Sequence, residues 1–296
     1  MTEPTPTPAG PSGLEPAPQE RPGPAEPSAR ETGDGTGQEP WEEDGAVPSS
    51  SYHVLDDPIV YPVIALGVAL TTALPVFLQQ RFCLPVLNGL VIFPLFAWAL
   101  RAGRPRRALG LGLFWALCQS LAIVAASLLM ADRAGTAILG ALEFRTQWLA
   151  WIASGSPVTS TPALSLPGQV RELAVFAAGS LLTGGLGGLI LLAMALNAFN
   201  FTVASLLQQA LRPVLLLLAA WPIWSVVRLI GYLTVGAVLA EPVAVLDLRP
   251  QWWAAWWPRR RRLLATGLGL IVLGIVLQIV LSPLWPSLLR SATGLN

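Results

Sequence analysis

The sequence predicts an all-α, polytopic transmembrane helix bundle of about seven spans behind a disordered N-terminal tail. Three observations predict it. Hydrophobic residues make up 53% of the 296 residues, only 12% carry charge, and mean hydropathy is +0.59, a balance that a water-soluble globule of this size does not need. Charge is divided along the chain, with twelve acids and two arginines in residues 1–57 against five acids and sixteen arginines in the remainder. Apolar runs of membrane-crossing length then recur from Ile59 onward.

The tail, residues 1–56, is dominated by Pro, Glu, Gly, Thr and Ser. Such a segment cannot bury enough apolar surface to offset its backbone entropy, so it is expected to stay disordered. A plain solvated arm is the preferred reading; a docking point at Trp41 beside Glu42, Glu43 and Asp44 competes with it. No basic n-region followed by an apolar run appears in the first fifty residues, so the first span is expected to act as an uncleaved anchor. All eighteen basic residues are Arg, which excludes a lysine Schiff base; a GC-rich genome is the plain reading of that bias. Cys83 and Cys118 lack CxxC spacing and read as small apolar side chains.

Residues 57–107 read as a transmembrane hairpin, with spans Ile59 to Leu78 and Leu84 to Leu100. Pro75, Pro85 and Pro94 are expected to kink these spans. Arg101, Arg104, Arg106 and Arg107 follow, and short arginine-rich loops stay in the cytoplasm. The N-terminus is then cytoplasmic, and the third span, Ala108 to Ala131, runs outward. The five-span membrane domain, residues 108–296, starts there. Its external segment, 132–169, is expected to hold an interfacial helix over Ala134 to Ser154, followed by an extended loop from Gly155 to Pro162.

Leu173 to Gln209 is too long to cross once, because as one helix it would measure about 55 Å. Two breaks offer themselves: the glycines Gly184, Gly185, Gly187 and Gly188, or Asn197 and Asn200. The second is preferred, giving span four from Leu173 to about Ala195, a turn near Asn197, and a short crossing or re-entrant element from Phe199 to Leu211. Span six runs from Val214 to about Leu239, a cytoplasmic Trp/Arg-rich loop occupies 241–262, and span seven runs from Leu263 to Leu281. The C-terminus is expected outside.

Gly179, Ser180, Gly184, Gly185, Gly187 and Gly188 are read as helix-packing residues, since small side chains let a second helix approach. A phosphate cradle would need a preceding strand and a following Lys, and both are missing. A candidate intramembrane polar site comprises Asn197, Asn200, Arg228 and Tyr232, with Tyr232 one helical turn from the arginine. Helix glue competes for the asparagines and Thr202 and Ser205, and snorkelling toward the cytoplasmic end competes for Arg228. Trp252, Trp253, Trp256 and Trp257, followed by Arg259, Arg260, Arg261 and Arg262, are read as a membrane-interface anchor. The expected partner is anionic inner-leaflet lipid, worth about 1 kcal/mol per basic residue. Nucleic acid is not an expected partner.

No enzyme is expected. The only histidine is His53 in the tail, and acids lie at span boundaries, among them Glu172 beside Arg171 and Glu241 beside Pro242. Those positions do not furnish a Ser/His protease, an HExxH zinc site or a deep proton relay. Neither a metal nor a cofactor is called for.

Residues 108–283 resemble the stage II sporulation protein M family of bacterial membrane proteins. The residues that carry the likeness are the Gly-rich span four, Asn197, and a last span closing on Leu277-Gln278-Ile279-Val280-Leu281-Ser282-Pro283. The chain departs from the family in its added hairpin, its acidic arm, and Gln278 where an acid is looked for. The resemblance implies a non-enzymatic membrane scaffold with membrane or envelope protein partners, in cell-envelope remodelling. The alternative class is a permease or a permease-like subunit of a transport complex, with Asn197 and Arg228 at its site.

Overall fold

A computed structural model describes residues 57–155, 166–245 and 250–294. The tail, with Trp41 and His53, lies outside the described residues, as does most of the Gly155 to Pro162 loop. Among the described residues the fold is all helical. Six helices are long and apolar enough to cross a bilayer: α1 (Val60–Phe77), α2 (Cys83–Arg101), α3 (Pro105–Leu129), α7 (Leu186–Leu207), α9 (Ile223–Val245) and α10 (Pro250–Leu281). The chain is therefore a multi-pass membrane protein. Between α3 and α7 lie α4 (Ala131–Ala137), α5 (Ala141–Ser154) and α6 (Leu166–Leu182); α8 (Pro213–Ala220) precedes α9, and α11 (Trp285–Thr293) follows α10.

Both arginine clusters sit at one end of the bundle. Arg101 Nε donates to the Ala244 carbonyl at 2.7 Å, Arg107 donates to the Tyr61 hydroxyl at 2.8 Å, and Arg260 reaches Glu241. At the opposite end Arg81 Nε bonds the Thr136 carbonyl at 2.8 Å, and the Arg133 guanidinium lies 4.6 Å from the Phe77 ring centre. α1 and α2 are tied in mid-span, where Thr71 and Thr72 donate to Asn88 Oδ1 at 3.0 and 3.3 Å. α3 enters the same core through Trp115, which is fully buried and donates to the Asn88 carbonyl at 2.9 Å. An indole is largely apolar surface with one donor, so a backbone acceptor lets it fill a core without an orphaned N–H.

The long segment after residue 173 breaks at the glycines and not at Asn197. Gly184 and Gly185 have φ of +62° and +103°, and the Gly185 N–H closes α6 on the Ser180 carbonyl at 2.8 Å, the bonding of a Schellman cap. Thr183 Oγ then accepts the Gly187 N–H at 2.6 Å and caps the start of α7. Span four therefore ends at Leu182, Asn197 lies in mid-helix, and the short element expected over Phe199 to Leu211 is mostly the second half of α7. The hairpin is tight: a Cβ on Gly187 would lie 2.9 Å from the Gly179 carbonyl oxygen, and one on Gly188 would collide with Ser180 Oγ. α6 runs parallel to α9, since Gln169 meets Arg228 near one end while Phe176 and Ser180 meet Gly236 further along.

Four other boundaries differ from expectation. The interfacial helix divides at Gly140, in the left-handed region at φ +71°, into α4 and α5. Its Trp148 and Trp151 are buried in the protein and do not face a bilayer surface. α6 starts at Leu166, ahead of the expected start of span four at Leu173. Span six breaks at Trp221, extended at φ −101°, ψ 92°, because the following Pro222 disfavours a helical residue before it. Lastly, the Trp/Arg loop is largely helix: α9 continues to Val245 and α10 begins at Pro250.

Candidate functional site

Asn197 and Asn200 both turn from α7 toward α3. Gln119 Nε2 donates to Asn197 Oδ1 at 2.7 Å, and Asn200 Nδ2 donates to Ser120 Oγ at 3.0 Å. Asn200 Oδ1 also accepts from Trp221 Nε1 at 2.9 Å, which fixes the extended residue between α8 and α9. Thr202 and Ser205 return their hydroxyls to carbonyls of their own helix. The buried amides of Asn88 and Gln119 each keep one unsatisfied atom, Nδ2 and Oε1. An amide that spends its hydrogen bonds on a neighbouring helix holds the helices together. We predict that Asn197→Leu, which orphans the Gln119 donor, lowers stability by about 1–2 kcal/mol. The double variant Gln119→Leu with Asn197→Leu should recover part of that loss in detergent unfolding, because no donor is then stranded.

Arg228 does not join the asparagines. It is the sixth residue of α9, near the end opposite the arginine clusters, so snorkelling toward the arginine-rich end does not describe it. Its guanidinium donates to Gln169 Oε1 of α6 at 3.3 Å, and Gln169 Nε2 stands 3.5 Å from Gln278 Oε1 of α10. Gln169 and Gln278 are both buried, so three helices contribute to one polar contact inside the bundle. Glu172, exposed on α6, interacts electrostatically with Arg228 from outside this contact. Tyr232, one turn further along α9, is buried against the Phe176 ring, with centroids 5.0 Å apart in an edge-on arrangement.

Beside Arg228 lies a cavity of about 50 Å³ walled by Phe144, Trp148, Trp151, Phe199 and Trp224, with Ser225, Arg228 and Gln278 as its polar lining. Trp148 packs edge-on against Trp151 at 5.2 Å and Phe199 at 5.3 Å, while Trp224 is braced by Trp285 at 4.9 Å. The sequence does not single out Gln119 or Gln169, marks Gln278 only as a departure from a family pattern, and does not show that Trp148 and Trp151 turn inward. Polar residues inside apolar runs were the available signal for the glutamines; nothing in the spacing of the tryptophans showed that α5 turns them inward.

At the arginine-rich end, Glu241 is paired, contrary to its reading as an ordinary boundary acid. Arg260 grips it with two bonds of 2.6 Å, and Trp256 Nε1 donates to the same carboxylate at 3.1 Å. Trp256 is accordingly buried against α9 and not turned to lipid, whereas Trp257, Arg261 and Arg262 are exposed. The side chains of Trp252, Trp253 and Arg259 lie outside the described residues.

The chain matches no family model, no curated protein and no solved structure. What the arrangement can do chemically rests on the donors and acceptors themselves. Among the described residues no three His, Cys, Asp or Glu side chains come together in the way a metal ion needs. The arrangement offers two kinds of group: paired amides that fasten helices, and an aromatic cavity with Ser225, Arg228 and Gln278 in its wall.

Proposed function

We propose that the chain is a non-enzymatic scaffold or assembly component of a bacterial cytoplasmic membrane. The observation that carries this reading is the Gln119–Asn197 bond in mid-bundle, where the amide of α3 donates to the amide of α7. A transport route needs polar groups that face a passage and two arrangements of the helices around it. The backbone contact of Gly187 with Gly179, and the Ser180 side chain packed on Gly188, favour one arrangement, because a packed glycine seam has no slack to slide. The resemblance to the stage II sporulation protein M family supports the same class, with cell-envelope remodelling as its setting and envelope proteins as partners. In this reading the arginine-rich end and the acidic tail are cytoplasmic, the C-terminus is external, and Trp257, Arg261 and Arg262 meet anionic inner-leaflet lipid.

A permease-like subunit is the second reading, and Arg228 beside its cavity is what favours it. Locking the bundle separates the two. Arg101→Cys with Ala244→Cys joins α2 to α9 at one end, and Ser127→Cys with Gln208→Cys joins α3 to α7 at the other. Each pair is introduced in a chain with Cys83→Ser and Cys118→Ser and closed by a short bis-maleimide, which forms a thioether with each cysteine. A scaffold keeps complementing the deletion phenotype when either end is locked. Loss of complementation on closure, with the unclosed variants active, would replace the scaffold by the permease.

A further inference from the structure

Opposite the arginine clusters, the span ends form an apolar collar that carries two guanidiniums. α1 stops at Phe77, α2 starts at Cys83 and α3 stops at Leu129. Phe77, Leu78, Phe82 and Leu129 are exposed there, Phe82 by 75% and Leu129 by 83%, which puts this level at the edge of the hydrocarbon. The turn between α1 and α2 is fixed by a Schellman bond from the Gln80 N–H to the Pro75 carbonyl at 2.9 Å, with Gln79 left-handed at φ +58°. Arg81 follows, and its Nε donates to the Thr136 carbonyl of α4 at 2.8 Å, which spends one of its five N–H groups. Arg133 stands one turn before Thr136 on α4. Its guanidinium lies 4.6 Å from the Phe77 ring centre and donates to the Phe77 carbonyl at 3.5 Å. Both arginines are exposed, and among the described residues neither forms an ion pair, not even with the neighbouring Asp132.

Exposed arginines in water need no partner. These two differ because the apolar side chains around them lie against lipid, so their long stems raise the guanidiniums to the level of the lipid phosphates. A phosphate is an oxyanion whose geometry a guanidinium fork matches. A protein partner would have to displace lipid from Phe82 and Leu129, whereas a phospholipid meets both halves of the surface at once. Its acyl chains lie along the bare side chains, and its phosphate reaches the arginines. Two positive charges against the single charge of Asp132 leave one in excess, which selects an anionic lipid over a zwitterionic one.

We propose that the α1–α2 turn and α4 form an interfacial site for an anionic phospholipid, in the leaflet opposite the arginine clusters, with its phosphate held by Arg81 and Arg133. The site stands apart from Arg261 and Arg262 at the other end and does not depend on the scaffold reading. Cys83, exposed and two residues from Arg81, supplies a local reporter. The full chain with Cys118→Ser is labelled there with bimane and placed in phosphatidylcholine nanodiscs. A fixed fraction of the lipid is either phosphatidylcholine or phosphatidylglycerol brominated on its acyl chains, which quenches the label on contact. Brominated phosphatidylglycerol is expected to quench more strongly, with a preference of about fivefold for one unbalanced positive charge. Arg81→Gln with Arg133→Gln should abolish the preference, and Arg261→Gln with Arg262→Gln should leave it unchanged. Should the first pair not fold, Arg133→Gln alone, which keeps the bond from Arg81 to Thr136, takes its place and should at least halve the preference. Equal quenching by the two lipids in the otherwise wild-type chain would overturn the site. So would a preference that persists undiminished when Arg133 is replaced.

Discussion

Gly231→Leu is expected to cost about 3 kcal/mol of stability in detergent, where overpacking against backbone leaves the side chain no route of escape. α9 and α10 cross with their backbones in contact at this residue. A Cβ on Gly231 would lie 2.9 Å from the Gly267 carbonyl oxygen and 3.0 Å from the Ile271 nitrogen, and one on Gly267 would lie 3.1 Å from the Val235 nitrogen. Neither neighbour is a flexible side-chain end, so the helices themselves must part. The effect should be large because α10 depends on this seam: Val272, Leu273, Val276, Ile279 and Val280 on its other faces are exposed. Helices in lipid gain no hydrophobic drive from meeting, which leaves close packing as the main source of their association. Gly269→Leu on the same helix is the control, since nothing lies within 4 Å of its added Cβ. It should change stability by less than about 0.5 kcal/mol. If both variants unfold at the wild-type denaturant midpoint, α10 is not held by its glycine seam.

The same principle explains what the sequence made legible and what it hid. Length and hydropathy settle where hydrocarbon is crossed, so α1, α2 and α3 fall within a few residues of their expected bounds. Parity did not decide between the two candidate breaks in residues 173–209, because either one yields two crossings and returns Arg259 to Arg262 to the side of Arg104. Asn197 and Asn200 stand where the apolar run Leu186 to Leu196 ends, yet an amide inside hydrocarbon is tolerable once a facing helix supplies Gln119, and that partner is 78 residues away in the chain. The signal for the true break was local: Thr183-Gly184-Gly185 offers a side-chain cap and two residues free to adopt positive φ. Pro222 was an equally local sign that span six does not run unbroken. The cavity site was the least legible part. Arg228 stands out in a sequence as a charge among apolar residues, whereas its aromatic neighbours come from α5, α7 and α9 and meet only through the fold.

Arg260→Leu is the second variant expected to have a large effect, about 3 kcal/mol. Arg260 and Glu241 form a two-pronged pair in which both nitrogen–oxygen distances are 2.6 Å, the geometry in which a guanidinium and a carboxylate match. Their side chains are 20% and 6% exposed, so the carboxylate is the more deeply placed partner. Removing the arginine leaves a charge with little water and one remaining donor, Trp256 Nε1, whereas removing the carboxylate leaves an arginine that still reaches the surface. Glu241→Gln should therefore cost less, about 1 kcal/mol. Arg260→Leu with Glu241→Leu should recover most of the loss, because a buried pair replaced by apolar side chains strands no charge. Detergent unfolding of the three variants reads this asymmetry directly. Equal losses for both single variants, undiminished in the double, would show that the contact stabilises α9 against α10 by packing and not by pairing of charge.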